Sequence, residues 1–313
     1  MELTALSRIY KVDPSATLFT CHTGYIGIYS ITYQWNLYFS GMKQFLLAAI
    51  CLLFVFSCSV NPYSKTNRDH KKQARQLSRE LRKTPLPAIA GPSPFFVAST
   101  NFNLRKPSYV ILHHTAQNSC DQTLRTFTLK RTSVSAHYVI CKSGLVYQML
   151  NDHYRAWHAG NSRWGNVTDL NSTSIGIELD NNGFEPFSDE QISSLLTVLD
   201  TLKKRYAIPP QNFIGHADIA PRRKIDPNIY FPWQQLADRG FGLWYADTTG
   251  TQIPDQYNAL YDLQFIGYDI RDSVAAVRAF KQKFMQDTVT VLNEADHRAL
   301  ISLTKQYREA RMR

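Results

Sequence analysis

No CxxC pair occurs among the five cysteines, and no apolar run is long enough to cross a bilayer. The first absence argues against a thiolate zinc site. The longest apolar run, Phe45 to Phe56, has twelve residues. As a helix it would span about 18 Å, against a bilayer core of about 30 Å. Glycine and proline, 14 of each, are too few for a collagen-like chain. With 44% hydrophobic and 19% charged residues, a wholly disordered chain is excluded as well. What remains is a globular composition over 313 residues, enough for one large domain or two smaller ones.

Lysine and arginine outnumber the acids 35 to 25, a formal charge of +10. Such an excess points to an anionic neighbour. It is unevenly spread, because Lys65 to Lys83 alone carries +6. That concentration, with no nucleic-acid-binding motif, argues against a nucleic-acid partner. Residues 59–94 read as a basic tether, with Arg75, Arg79, Arg82 and Lys83 at helical spacing. Pro85, Pro87, Pro92 and Pro94 stiffen its end. Contact with acidic lipid is a candidate role for the tether.

Lys43 precedes the apolar run, which ends in Val55-Phe56-Ser57-Cys58. A positive residue before a run of this length is a secretory signal pattern. A small residue directly before a cysteine at its end resembles the lipobox of bacterial lipoproteins. Residues 42–58 are therefore expected to be a lipoprotein signal and Cys58 a lipid anchor. Residues 1–41 precede that signal without an amphipathic period, and are read as an over-extended gene start. Cys120 and Cys141 remain; an oxidising periplasm would let them pair, but spacing alone leaves this open.

Regular patterning begins at residue 108. Ser108 to His114 is strand-like, Asp121 to Arg131 fits a helix, and Ala136–Cys141 with Leu145–Met149 fits a hairpin. In Thr173 to Leu179 the alternation puts Ile175, Ile177 and Leu179 on one face, and Gly176 and Glu178 on the other. Ser188 and Gln191 resemble a capping box, opening a helix with Ile192, Leu195, Leu196, Leu199 and Leu202 on one side. Asn212 to Gly215 is a further short strand. The expected fold is α/β, a mixed central sheet flanked by helices.

Six of the nine histidines lie between residues 113 and 216. A catalytic zinc takes three protein ligands, His or carboxylate where cysteine is lacking, and keeps one position open. His113 ends one expected strand, His216 follows another, and Asp226 comes ten residues later in a loop stiffened by Pro221 and Pro227. Spacing alone leaves these three as separate surface residues or as ligands.

Six segments carry a resemblance: Ile111–Ala116, Ser135–Tyr138, Ala156–Gly160, Ser174–Leu179, Gly215–Pro227 and Phe231–Leu236. In this order they resemble the zinc-dependent N-acetylmuramoyl-L-alanine amidases of the type 2 family, which share a fold with peptidoglycan recognition proteins. The lipid-anchored outer-membrane branch of that family fits the lipobox. The resemblance covers about residues 95–246. It implies one zinc ion on His113, His216 and Asp226, with Glu178 as the acidic catalytic residue and Lys224 as its cationic partner. The implied reaction is hydrolysis of the amide between N-acetylmuramic acid, or its anhydro form, and L-alanine of peptidoglycan, in wall turnover or recycling. The alternative is a peptidoglycan-binding lipoprotein of the same fold without catalysis. His114 competes with His113, and the motif favours His113. His137, Trp157 and His158 are candidates for the substrate groove or for packing behind the ligands, and Trp164 for groove or core. The implied partners are peptidoglycan or muropeptides and, through Cys58, the membrane. The chain is expected as a monomer at the periplasmic face of a Gram-negative outer membrane.

The catalytic domain is expected over 95–247, followed by a Thr- and Gly-containing linker. Helical patterns follow at Asp255–Leu263, Ser273–Met285 and Asn293–Arg311. Val274, Val277, Phe280 and Phe284 recur at helical spacing, as do Leu300, Leu303 and Tyr307. Asn293 with Asp296 would cap the last helix. Residues 248–313 resemble a small three-helix peptidoglycan-binding unit; the other reading is a helical cap that supports the catalytic domain.

Overall fold

The structure is a computed structural model, and it describes residues 61–83, 99–101 and 103–312. The extension at 1–41, the signal at 42–58 with Cys58, and the proline-rich end of the tether lie outside the described residues. The chain divides into two compact units, Met1–Ala88 and Ile89–Arg313. In the first, α1 (Ser64–Leu81) buries none of its residues. Lys65 and Asp69 pair along it at 3.1 Å. Exposed pairs of this kind contribute little to stability.

The second unit opens with β1 (Tyr109–His114) and α2 (Cys120–Thr128), then β2 (Tyr138–Ile140) and β3 (Val146–Gln148). A short α3 (Leu170–Thr173) leads into β4 (Ser174–Leu179), followed by α4 (Asp189–Tyr206) and β5 (Phe213–Gly215). Then come α5 (His216–Ile219), α6 (Trp233–Asp238), α7 (Ala259–Ile266), α8 (Ser273–Phe284) and α9 (Glu294–Met312). The five strands form one sheet in the order β3-β2-β4-β1-β5. Only β2 and β3 pair antiparallel; the other neighbours are parallel. This is the mixed sheet flanked by helices that the alternation of strand and helix patterns predicts. Cys120 and Cys141 are joined in a disulfide, with Cα atoms 5.3 Å apart. It ties the start of α2 to the residue after β2.

The period-two pattern of β4 divides as expected. Ile175, Ile177 and Leu179 are fully buried against Leu195, Leu199 and Leu202 of α4. Burial of each such side chain contributes about 2 kcal/mol. Ser188 caps α4, accepting a hydrogen bond from the Gln191 backbone at 3.2 Å. The reciprocal half of the expected box is replaced. The Gln191 amide is buried and donates instead to the carbonyls of Ile140 and Asp180, at 2.8 and 3.1 Å. It joins helix to sheet in place of closing its own first turn.

The other face of the sheet has a core of its own. Ile111, Leu170, Ile214 and Trp164 pack there with Leu263, Phe280, Leu300 and Tyr307 of the three last helices. Sheet and C-terminal helices share this core, within one compact unit. Two details differ from the helical spacing. The first of these helices starts at Ala259 and not at Asp255, because Asn258 is its cap, accepting from the Leu260 backbone at 3.0 Å. Val274 is exposed (59%), one residue into α8, while Val277, Phe280 and Phe284 are buried. Asn293 and Asp296 cap α9 reciprocally, each side chain accepting from the other's backbone N–H, at 3.0 and 2.8 Å.

Candidate active site

The parallel strands β4, β1 and β5 end side by side, and the candidate residues stand at those ends. His113 and Glu178 are register partners across β1 and β4. Leu112 pairs with Gly215, so His216 follows directly at the next level, in α5. The loop after α5 turns back, and the Ala217 backbone donates to the Asp226 carbonyl at 2.8 Å.

Those backbone paths bring three donor atoms together. His113 Nδ1 lies 2.9 Å from His216 Nδ1, and each lies 3.0 Å from Asp226 Oδ2. All three residues are buried. The hydrogen bonds behind the two rings assign their tautomers. His216 Nε2 faces the Ala159 carbonyl at 3.2 Å and must carry the proton it donates. Its Nδ1 therefore presents a lone pair. For His113 the assignment runs through two further residues. The Ser174 hydroxyl donates its one hydrogen to the Leu170 carbonyl at 2.5 Å. Its oxygen then accepts from His158 Nε2 at 3.2 Å. His158 Nδ1 is left to accept from His113 Nε2 at 3.1 Å. His113 Nδ1 is thus a lone pair as well.

Two lone pairs and a carboxylate oxygen facing one centre at such distances repel one another unless a cation sits among them. This donor set fits a divalent metal, and the three residues are a group that could hold one. Burial drives the His113 pKa down to about 4, reinforced by the nearby His216, so its ring is neutral and free to ligate.

Glu178 is buried, and its Oε2 has no hydrogen-bond partner among the described residues. Burial pushes its pKa well up, helped by the charge of Asp226 and opposed by Lys224. A desolvated carboxyl with a free oxygen beside a metal-ligand group is suited to accepting and returning a proton. Lys224 is half-buried in the same loop as Asp226, and its ammonium makes no ion pair among the described residues.

The remaining candidates separate. His158 touches His113 as described, and its ring leaves no room on β4. A Cβ at Gly176 would lie 2.4 Å from it, so only glycine fits there. His137 is fully buried but does not reach the three donors. It accepts from the Gly176 backbone at 3.0 Å and donates to the Tyr154 carbonyl at 3.0 Å. His114 lies on the opposite face of β1, with its ring against Gly183, and stays outside the group. Trp157 is 53% exposed beside His158, whereas Trp164 is core, edge-on to Tyr268 at 5.0 Å.

Sequence reasoning passed over Ser174, Asn171 and Arg105. Asn171 Oδ1 accepts from the backbones of His158 and Ala159, both at 2.9 Å, and holds that loop under the two ligands. The Arg105 guanidinium donates to the carbonyls of Asp152, His153 and Ser172. Ser174 opens β4, on the face of Gly176 and Glu178, but its serine carries no sign of the role. Asn171 and Arg105 belong to no periodic pattern, and their only signal is a polar residue beside a strand or motif. A cavity of about 650 Å³ lies elsewhere, lined by Trp233, Arg239, Trp244 and Lys283.

The model of the family described as N-acetylmuramoyl-L-alanine amidase matches residues 103–229. The amidase AmiD of Escherichia coli K12 is 36% identical over 206 residues, which is 56% of this chain and 74% of AmiD. The 1,6-anhydro-N-acetylmuramyl-L-alanine amidase AmpD of Haemophilus influenzae is 42% identical over 103 residues, 33% of this chain and 56% of that protein. Among solved structures, E. coli AmiD complexed with the substrate anhydro-N-acetylmuramic acid-L-Ala-D-γ-Glu-L-Lys aligns with a TM-score of 0.59 at 30% identity. That alignment covers 68% of this chain and 94% of AmiD. AmpDh3 from Pseudomonas aeruginosa aligns with a TM-score of 0.60 at 26% identity, over 70% of this chain and all of that one.

Proposed function

Because the chain belongs to the N-acetylmuramoyl-L-alanine amidase family, we propose that it hydrolyses the amide between N-acetylmuramic acid, or its anhydro form, and L-alanine of peptidoglycan. One zinc ion would be held by His113, His216 and Asp226. The observation that carries this reading is the convergence of two imidazole lone pairs and a carboxylate oxygen, at 2.9–3.0 Å, beside the unpaired oxygen of Glu178.

Zinc bound there supplies a Lewis acid for the amide carbonyl and lowers the pKa of water to about 7. Glu178 takes the proton of the attacking water and returns it to the departing nitrogen. Its desolvated carboxyl favours holding that proton between the two events. Lys224 puts a positive charge beside the oxygen that becomes negative in the tetrahedral state. Trp157, exposed next to His158, offers an aromatic wall to the sugar. The anhydromuropeptide named in the AmiD complex supports a muropeptide substrate.

The chain acts as a monomer in wall turnover or recycling, anchored through Cys58 to the periplasmic face of the outer membrane. The lipobox-like end of the apolar run supports this location. The test is release of stem peptide from anhydromuropeptides and from intact wall by the purified chain, before and after chelation. Peptide release that survives removal of the metal would overturn the mechanism, and an uncut amide with zinc bound would overturn the activity. Fractionation of cells checks the location.

A further inference from the structure

The loop that carries Asp226 is held from outside the amidase match, which ends at residue 229. Helix α8 lies along it. Gln282 is buried, and its side-chain nitrogen donates to the carbonyls of Ile225 and Pro227, at 2.6 and 2.8 Å. These are the two residues flanking Asp226. Two carbonyl acceptors require the NH₂ end of the amide, so the orientation of Gln282 is fixed by its partners. One turn earlier, on the same helix face, Arg278 donates to the Pro221 carbonyl. Next to Gln282, the buried Lys283 pairs with Asp218 at 2.7 Å. Asp218 in turn accepts from the Gly215 backbone at 2.7 Å, directly before His216. Both ends of the ligand loop are therefore pinned by consecutive polar groups of one helix.

We propose that α8 is a brace for the metal site, and that Gln282 is a positioning residue for the Asp226 carboxylate. The inference rests on the zinc-site reading above. Without its amide, both flanking carbonyls lose their only side-chain partner among the described residues, and the Asp226 backbone is free to shift. A carboxylate ligand must sit within a few tenths of an ångström of its place to hold a metal. Groups that orient a ligand from behind typically contribute about 10–100-fold in metal affinity. On this reading, the C-terminal helices serve the chemistry by holding a ligand, whatever else they bind.

The test uses the full chain and zinc alone, titrated against a competing chelator. Gln282→Met keeps the volume and removes both donors. It should raise the zinc Kd about 10–100-fold, a loss of zinc well beyond that of the Lys281 control even though the zinc-free chain also melts lower, since two buried carbonyls lose their donor. Its amidase activity should fall at limiting zinc and return in excess zinc, a recovery that a merely loosened fold would not show. Lys281→Met is the control in the same helix. It breaks the pairs with Asp287 and Asp296 at 2.8 and 3.0 Å, which do not touch the loop. It should lower the melting temperature and leave the zinc Kd at the wild-type value. A wild-type Kd in Gln282→Met would overturn the brace, and so would an equal loss of zinc in Lys281→Met. Should Gln282→Met not fold, Arg278→Met carries the same comparison. A wild-type chain that binds no zinc would overturn the site itself along with the brace.

Discussion

His113 and Glu178 are register partners on adjacent parallel strands, so an imidazole and a carboxyl rise from the same level of one sheet face. Their spacing is set by backbone hydrogen bonds and not by loops, which makes this half of the site rigid. The other half, His216 and Asp226, is brought up by a turn and a return loop.

Glu178→Gln keeps the shape and removes the proton carrier. Since general acid–base catalysis contributes about 10²–10⁴-fold, kcat for muropeptide cleavage should fall by that range with zinc content unchanged. Initial rates and metal analysis on the same preparation check this. A variant with near wild-type kcat would remove Glu178 from the reaction.

The tautomer of His113 is set by His158, which is set in turn by Ser174. His158→Asn retains an acceptor near the position of Nδ1, whereas His158→Leu has none. The leucine variant should bind zinc about 10–100-fold more weakly, and the asparagine variant should recover part of that loss. Chelator competition measures both, and equal affinities in the two variants would refute the relay.

Gly176→Ala would drive a methyl group into the His158 ring, 2.4 Å from the nearest ring atom. Overpacking of this kind costs about 1–3 kcal/mol. The variant should melt at lower temperature and lose zinc as His158 is displaced. Gly176 lies in a strand with no left-handed φ, so its loss reads the clash alone, whereas Gly165→Ala, at a φ of +56° with nothing within 4 Å of an added Cβ, would read backbone strain without a clash.

The Cys120–Cys141 disulfide closes a loop with a sequence separation of 21. Chain-entropy arguments put its contribution at about 3 kcal/mol. The double variant Cys120→Ala/Cys141→Ala should show that loss in a urea midpoint, with the amidase rate retained under folding conditions.

Burial holds the His137 pKa down at about 4, against about 6.5 in an unfolded chain. Between those values the unfolded state binds the proton more readily. Stability therefore falls as pH drops from about 6.5 to about 4, and His137 contributes no slope above that window. His137→Asn should flatten the acid limb by up to one proton, about 1.4 kcal/mol per pH unit. Unfolding free energies measured across the window decide it.

The elements with a clear period were legible in the sequence. β4 alternates strictly, so the burial of Ile175, Ile177 and Leu179 and the opposite placement of Glu178 followed from spacing alone. The convergence of His113, His216 and Asp226 did not follow from spacing, because 103 residues separate the two histidines; a family resemblance pointed to it. The chain from His113 through His158 to Ser174 was illegible, since it joins two strands and a loop that share no period. Gln191 illustrates a local rule losing to tertiary structure. Its spacing from Ser188 matches a capping box, yet two sheet carbonyls take the amide. The late start of α7 has the opposite cause, a local cap at Asn258 that outweighed the apolar spacing before it.

The core that the sheet shares with the last three helices runs past residue 229, where the family-model match stops, so that residue is no boundary of folding. A polypeptide ended in the linker near residue 250 would turn Ile111, Trp164, Leu170 and Ile214 toward water. Such a fragment would be sticky and short-lived even with every ligand in its sequence. Excising or grafting the amidase part therefore has to begin with the oily underside of the sheet.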